Sequence, residues 1–137
     1  MWIKILMFFN VKIYQLTGGR LGSRLAGQSV LLLHTVGRRS GRNIITPINY
    51  YRHHGDFVVV ASNWGKAHHP GWFYNLLAKP TATIQVQAQK LVVGSRQAHG
   101  QEYNELWQLV TSQNDFYTRY QRQTSRKIPI LILTPQE

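Results

Sequence analysis

The chain has 137 residues, enough for one domain with a real core, and 43% hydrophobic against 15% charged residues excludes a disordered chain. Sixteen Lys and Arg against five Asp and Glu leave a formal charge of +11, which calls for an anionic partner: nucleic acid, a lipid surface or a polyanionic small molecule. The lack of cysteine excludes disulfides, thiolate catalysis and zinc–thiolate sites, and so few carboxylates argue against carboxylate-pair hydrolysis.

Residues 1–16 are mostly apolar, with Lys4, Lys12 and Gln15 on one narrow face at helical spacing. The spacing predicts an N-terminal helix, too short to span a bilayer and without an A-x-A cleavage site behind it. Two readings stand: the helix packs on the domain or on a second copy of the chain, or it lies in a membrane interface. Residues 17–29 are rich in glycine and read as a linker within the domain proper, 17–137.

Leu31 to Tyr51 then reads as an apolar strand, the loop GRRSGR and a second β-rich run. Pro47 inside that second run makes it an edge strand or bulged. His53 to Asp56 is a turn, Phe57 to Ser62 a buried strand, and Asn63 to His69 a polar loop. Pro70 opens a helix to Ala78 with Trp72, Leu76 and Phe73 on its buried side. Thr81 to Gln87 alternates as a half-exposed strand and pairs with Lys90–Arg96 across a turn at Ala88-Gln89. His99 to Ser112 has helical spacing, Asp115 caps a short helix carrying Phe116, Tyr117 and Tyr120, and Ile128 to Leu133 is a last strand. About six antiparallel strands with three or four helices between them predict an α+β fold built on a small six-stranded split β-barrel.

The loop 37–42 holds the clearest chemistry. Gly37 and Gly41 allow tight geometry, Arg38, Arg39 and Arg42 bring three permanent charges, and Ser40 adds a hydroxyl; backbone amides in such a loop form an anion nest. A solvated hairpin tip is the competing reading. No serine elbow or nucleotide-binding loop is present, and the adjacent pairs His53-His54 and His68-His69 match no metal spacing. Small polar and aromatic groups remain: Ser62 and Asn63 at a strand end, Pro70, Trp72 and Asn75 on the next helix, Tyr117 and Tyr120 near the C-terminus. Such a lining suits a flat anionic molecule that itself carries the reaction. Trp72 and the tyrosines are equally readable as packing residues.

The ordered blocks LLLHTVGRRSGR, ITPINYY, FVVVASNWGKAHHPGWFYNLLAKPTATIQV and YQRQTSRKIPILIL, with GGRLG before them, resemble the deazaflavin-dependent nitroreductase family over roughly residues 17–135. The resemblance implies a split barrel like those of FMN-binding flavin reductases. It implies coenzyme F420 as cofactor, with FMN as the alternative, and hydride transfer to quinone, nitro or other activated acceptors. Arg38, Arg39, Ser40 and Gly41, with Arg42, would hold the cofactor phosphate and acidic tail. Ser62, Asn63, Pro70, Trp72 and Asn75 would lie beside the ring, and Ser62, Tyr117 and Tyr120 would serve catalysis on the substrate side. The chain departs from the family at Ile44, where a basic residue is frequent, at Asn63 and Asn114, where some members carry Lys and Tyr, and at Trp64, where glycine is common. A small-molecule acceptor, a homodimer and no nucleic acid are the partners expected, in the cytoplasm, at the inner membrane face if residues 1–16 bind lipid. A non-catalytic flavin- or lipid-binding barrel and a basic nucleic-acid-binding barrel are the other classes. The latter needs its aromatics exposed on one basic face, whereas here most lie in apolar-patterned segments.

Overall fold

The computed structural model describes residues 11–18, 24–25 and 28–136. The N-terminal helix and the linker therefore fall largely outside the described residues; within them, helix α1 covers 11–17. Eight strands follow: β1 (Arg24–Leu25), β2 (Gln28–Val36), β3 (Asn43–Asn49), β4 (Tyr51–His53), β5 (Asp56–Val60), β6 (Thr81–Val86), β7 (Gln89–Gln97) and β8 (Ile130–Pro135). A 3-10 turn (Asn63–Gly65) and helix α2 (Gly71–Ala78) separate β5 from β6. Helices α3 (Gly100–Gln113) and α4 (Phe116–Arg122) separate β7 from β8. The two strands beyond the expected six are short: β1 lies in the glycine-rich stretch, and β4 is split from β3 at Tyr50.

Every pairing is antiparallel, in the order β3-β2-β6-β7-β8-β5-β4, with β1 also on β2. The strands at the two ends, β3 and β4, are joined through Tyr50 alone. The sheet must therefore curl until its ends meet, and the Tyr50 amide donates to the Ser29 carbonyl at 3.0 Å where they do. This is the expected barrel. Pro47 sits opposite Leu32 in β3, whose pairing among the described residues is with β2, so its missing N–H faces no second neighbour.

Central strands are covered on both faces, which explains their unbroken apolar runs. In β5, Phe57 and Val59 enter the barrel core with Leu31, Leu33, Ile84, Leu131 and Leu133, and Trp72, Phe73 and Leu76 of α2 plug it. Val58 and Val60 face the other way, onto Tyr103, Leu106 and Val110 of α3 and Tyr117 of α4, as do Ile130 and Ile132 of β8. On a third side Val11 and Tyr14 of α1 cover Leu32. The Tyr14 hydroxyl donates to the Gln85 carbonyl at 3.1 Å and accepts from the Gln87 amide at 2.5 Å, tying α1 to β6.

Three local expectations shift. Pro70 is the residue before α2, not its first turn. The β6–β7 turn falls at Gln87-Ala88, because Gln87 takes the left-handed φ of 55°. Asp115 does not cap α4: its backbone is helical, its side chain makes no cap bond, and its carboxylate instead lies 3.4 Å from Arg119.

Candidate functional site

The β2–β3 hairpin tip is held shut by two backbone bonds of 2.8 Å, Gly37 N–H to the Arg42 carbonyl and Gly41 N–H to the Gly37 carbonyl. Gly37 is required here: a Cβ would stand 2.5 Å from the Ser40 hydroxyl and 3.1 Å from Ile44. Gly41, at φ 71°, turns the chain back, and the Ser40 hydroxyl accepts from the Arg42 amide at 3.2 Å. The loop is anchored from α2. Asn75 Oδ1 accepts from the Arg38 amide at 3.1 Å and its guanidinium at 3.2 Å, while Asn75 Nδ2 donates to the Thr35 hydroxyl at 3.2 Å. The Arg38 guanidinium also lies over the Tyr74 ring, 4.9 Å from its centre.

The charge of this tip meets no carboxylate among the described residues. Among the described residues the paired carboxylates are Glu102 and Asp115, which go to Arg96 and Arg119. Arg38, Arg39 and Arg42 have no ion pair there, and the amides of Arg39 and Ser40 have no acceptor. A phosphorylated, polyacidic ligand such as F420 fits this donor set: forks for bidentate oxygens, free amides and a hydroxyl, with one fork pre-positioned by Asn75.

A second cluster forms where β5 runs into α2. Asn63, Trp64 and Gly65 have φ of 46°, 60° and 74°, three consecutive left-handed residues. Each non-glycine in that conformation costs roughly 1–2 kcal/mol. Gly65 has no alternative, since a Cβ would come within 2.9 Å of the Tyr120 carbonyl and 3.0 Å of its Cα. Arg126, which sequence reasoning passed over, holds the turn. Its guanidinium donates to the carbonyls of Ser62 at 2.6 Å, Lys66 at 2.9 Å and Ala61 at 3.2 Å, and to His69 Nδ1 at 2.8 Å. Arginine only donates, so His69 must accept at Nδ1 and carry its proton on Nε2. Burial, and then the Arg126 charge, hold His69 below the usual histidine pKa. Asn63 Nδ2 donates to the His68 carbonyl at 2.8 Å and closes the loop. Ser62 and Pro70 are half-buried at the rim, and the Ser62 hydroxyl has no partner among the described residues.

The two clusters sit at opposite ends of one helical stretch: from Pro70 to Asn75 the axis rises about 7.5 Å. Three expected positions move. Asn75 is buried at 3% exposure and reaches the cradle, not the rim. Trp72, at 7% exposure, packs inside the barrel. Tyr117 lies in the core under α3 at 3% exposure, where its hydroxyl accepts from Tyr51 at 2.9 Å. Burial and the neighbouring Tyr51 push the Tyr117 phenol far above its ordinary range. Asn114 turns inward too, donating to the Tyr51 hydroxyl at 2.5 Å. Tyr120 stays half-buried beside Trp64, ring centres 6.3 Å apart, edge to face. Ile44 is 40% exposed beside the cradle. His53 and His54 stack on each other at 3.9 Å, and among the described residues no three His, Asp or Glu side chains gather as metal ligands. None of the described helices is long and apolar enough to cross a membrane.

Comparison with known proteins agrees with this architecture. The family model for F420H(2)-dependent quinone reductases matches residues 6–135. An F420H(2)-dependent quinone reductase of Mycobacterium tuberculosis is 40% identical over 126 residues, covering 89% of this chain and 85% of its own. A solved F420-H2-dependent reductase (FDR-A) superposes with a TM-score of 0.69 at 31% identity, over 76% of this chain and 92% of its own. A second solved structure, described as a domain-swapped dimer, superposes with a TM-score of 0.73 at 28% identity over 96% of each chain. A curled antiparallel barrel, a basic cradle with no ion pair among the described residues and a match across nearly the whole sequence lead to one conclusion: the chain belongs to the F420H(2)-dependent quinone reductase family.

Proposed function

We propose that this protein is an F420-dependent oxidoreductase whose acceptors are quinones. The observation that carries the reading is the Gly37–Arg42 cradle: three guanidiniums without carboxylate partners among the described residues, one braced by Asn75, in a chain of this family. When bound, reduced F420 supplies hydride, and the quinone takes it up with a proton to leave as hydroquinone. Arg38, Arg39, Ser40, Gly41 and Arg42 would hold the phosphate and the head of the acidic tail. Ser62, Asn63 and Pro70 would border the ring at the far end of α2. Trp72 supports this border from the core, and Arg126 keeps it in shape. The Ser62 hydroxyl and the Tyr120 phenol are the rim groups that would hold a proton at the acceptor oxygen. Proximity supplies much of the rate in such a design, so no strong base is needed.

The test is anaerobic mixing of the protein with reduced F420 and a naphthoquinone. The reading expects the absorbance of oxidised deazaflavin to return only when both protein and quinone are present. Tight F420 binding with no quinone-dependent oxidation would assign the barrel to cofactor carriage instead. Preference for FMN over F420 in the same titration would replace the cofactor.

Self-association is a second part of this reading. Ile13 and Leu16 of α1 are 43% and 85% exposed, opposite the side that covers Leu32. A structural relative is described as a domain-swapped dimer.

A further inference from the structure

Trp64 is the residue the fold does not explain. Its backbone is left-handed, at φ 60° and ψ 22°, a conformation that favours glycine. Its indole is 54% exposed, on a turn that Arg126 braces through the residues on either side. Among the described residues its aromatic partner is Tyr120, and its N–H has no acceptor there. The neighbouring Gly65 is dictated by its contact with α4, whereas the side chain at position 64 is largely exposed. The chain thus carries a strained backbone and an exposed aromatic at one residue, beside Ser62 and Asn63. Strain retained at a braced site points to function.

We propose that Trp64, steadied by Tyr120, is the acceptor shelf of this enzyme, its indole face the surface on which a planar quinone stacks. Tyr120 meets Trp64 edge to face at 71°, which steadies the indole and leaves at least one of its faces uncovered by that ring. Stacking on an indole suits a fused, planar ring, and so favours naphthoquinones over single-ring or non-planar acceptors. Trp64 acts here as a specificity residue that touches the substrate and transfers nothing. The assignment rests on the reading that F420-dependent quinone reduction takes place beside Ser62 and Asn63.

The experiment compares wild type with Trp64→Gly and Trp64→Phe, each loaded with F420. Trp64→Gly is expected to raise the naphthoquinone KM about fivefold or more, with kcat and the F420 Kd little changed. Trp64→Phe, which keeps a stacking ring, should recover part of that loss. Relief of the left-handed strain should leave the Trp64→Gly melting temperature equal to or above that of wild type, the opposite of what a structural tryptophan would give. Independently of turnover, the indole N–H resonance that disappears in Trp64→Gly should shift when wild type loaded with oxidised F420 is titrated with naphthoquinone. An unchanged KM in Trp64→Gly, or an indole resonance that does not move, overturns the shelf while leaving the quinone reductase reading standing. Wild type that binds F420 but oxidises it with no quinone fails that reading and removes the shelf with it.

Discussion

At the residue scale, sequence reasoning placed Tyr117 on the substrate side and passed over Arg126. Tyr117 was legible as an aromatic on a short helix, but amphipathic spacing does not say whether such a ring faces a pocket or a core. The structure buries it against Tyr51 and Asn114. Tyr117→Phe is therefore expected to cost about 1–2 kcal/mol of stability, by leaving the buried Tyr51 hydroxyl without its acceptor, and to leave kcat unchanged. A fall in kcat at unaltered stability would return Tyr117 to the mechanism. Arg126 was illegible because its acceptors lie 57 to 65 positions away in sequence. Arg126→Met leaves the Ala61, Ser62 and Lys66 carbonyls short of a donor around a left-handed turn. We expect a loss of about 2–3 kcal/mol, seen as a melting temperature lower by several degrees. Arg126→Lys should recover only part of it, since an ammonium is a point donor and cannot span four acceptors. A melting temperature equal to wild type would show that the turn holds without the clamp.

At the element scale, the hairpin and the turn before α2 differ in how openly the sequence announces them. GRRSGR is a local signal: apolar β-rich runs flank a tip whose glycines and arginines lie within six positions, and the structure places them together. The 63–65 turn carries no such signal, because its shape follows from contact with α4. Gly65→Ala tests that contact. A Cβ at φ 74° adds left-handed strain and meets the Tyr120 backbone, so a loss of about 2–4 kcal/mol is expected. Melting equal to wild type would mean that α4 can withdraw freely. Helix α1 was legible as a helix, but its occupant was not. Ile13→Glu with Leu16→Glu is expected to convert a dimer to a monomer in light scattering, whereas co-sedimentation of the wild-type chain with anionic vesicles would favour the membrane surface instead.

At the scale of the whole molecule, the barrel was legible because burial on both faces writes itself as unbroken runs such as FVVV and ILIL, and one-sided burial as the alternation of TATIQV. The closure at Tyr50 and the move of Asn75 were not, since they depend on which strand ends meet. Two histidines contribute to the response to acid. His34 and His69 are both held below their usual pKa, chiefly by burial, with Lys90 and Arg126 adding to it respectively. The unfolded chain then binds more protons than the fold below about pH 6.5. Their contribution is fully present above that pH and is lost as pH falls towards the folded values. The melting temperature should drop between about pH 7 and pH 5, and His34→Gln with His69→Gln should flatten the drop; a flat wild-type profile would contradict this. The net charge of +11 should also make capture of a polyanionic cofactor faster at low ionic strength. The central claim is that this charge is focused at Gly37–Arg42 as the anchor of F420. It is tested most directly by titrating wild type and the Arg38→Ala, Arg39→Ala variant with F420 and with the same deazaflavin lacking phosphate and acidic tail. Wild type should bind F420 at least about tenfold more tightly than the truncated compound, and the variant should bind the two nearly alike. Equal binding of both compounds by wild type, or a preference that survives in the variant, would contradict the account.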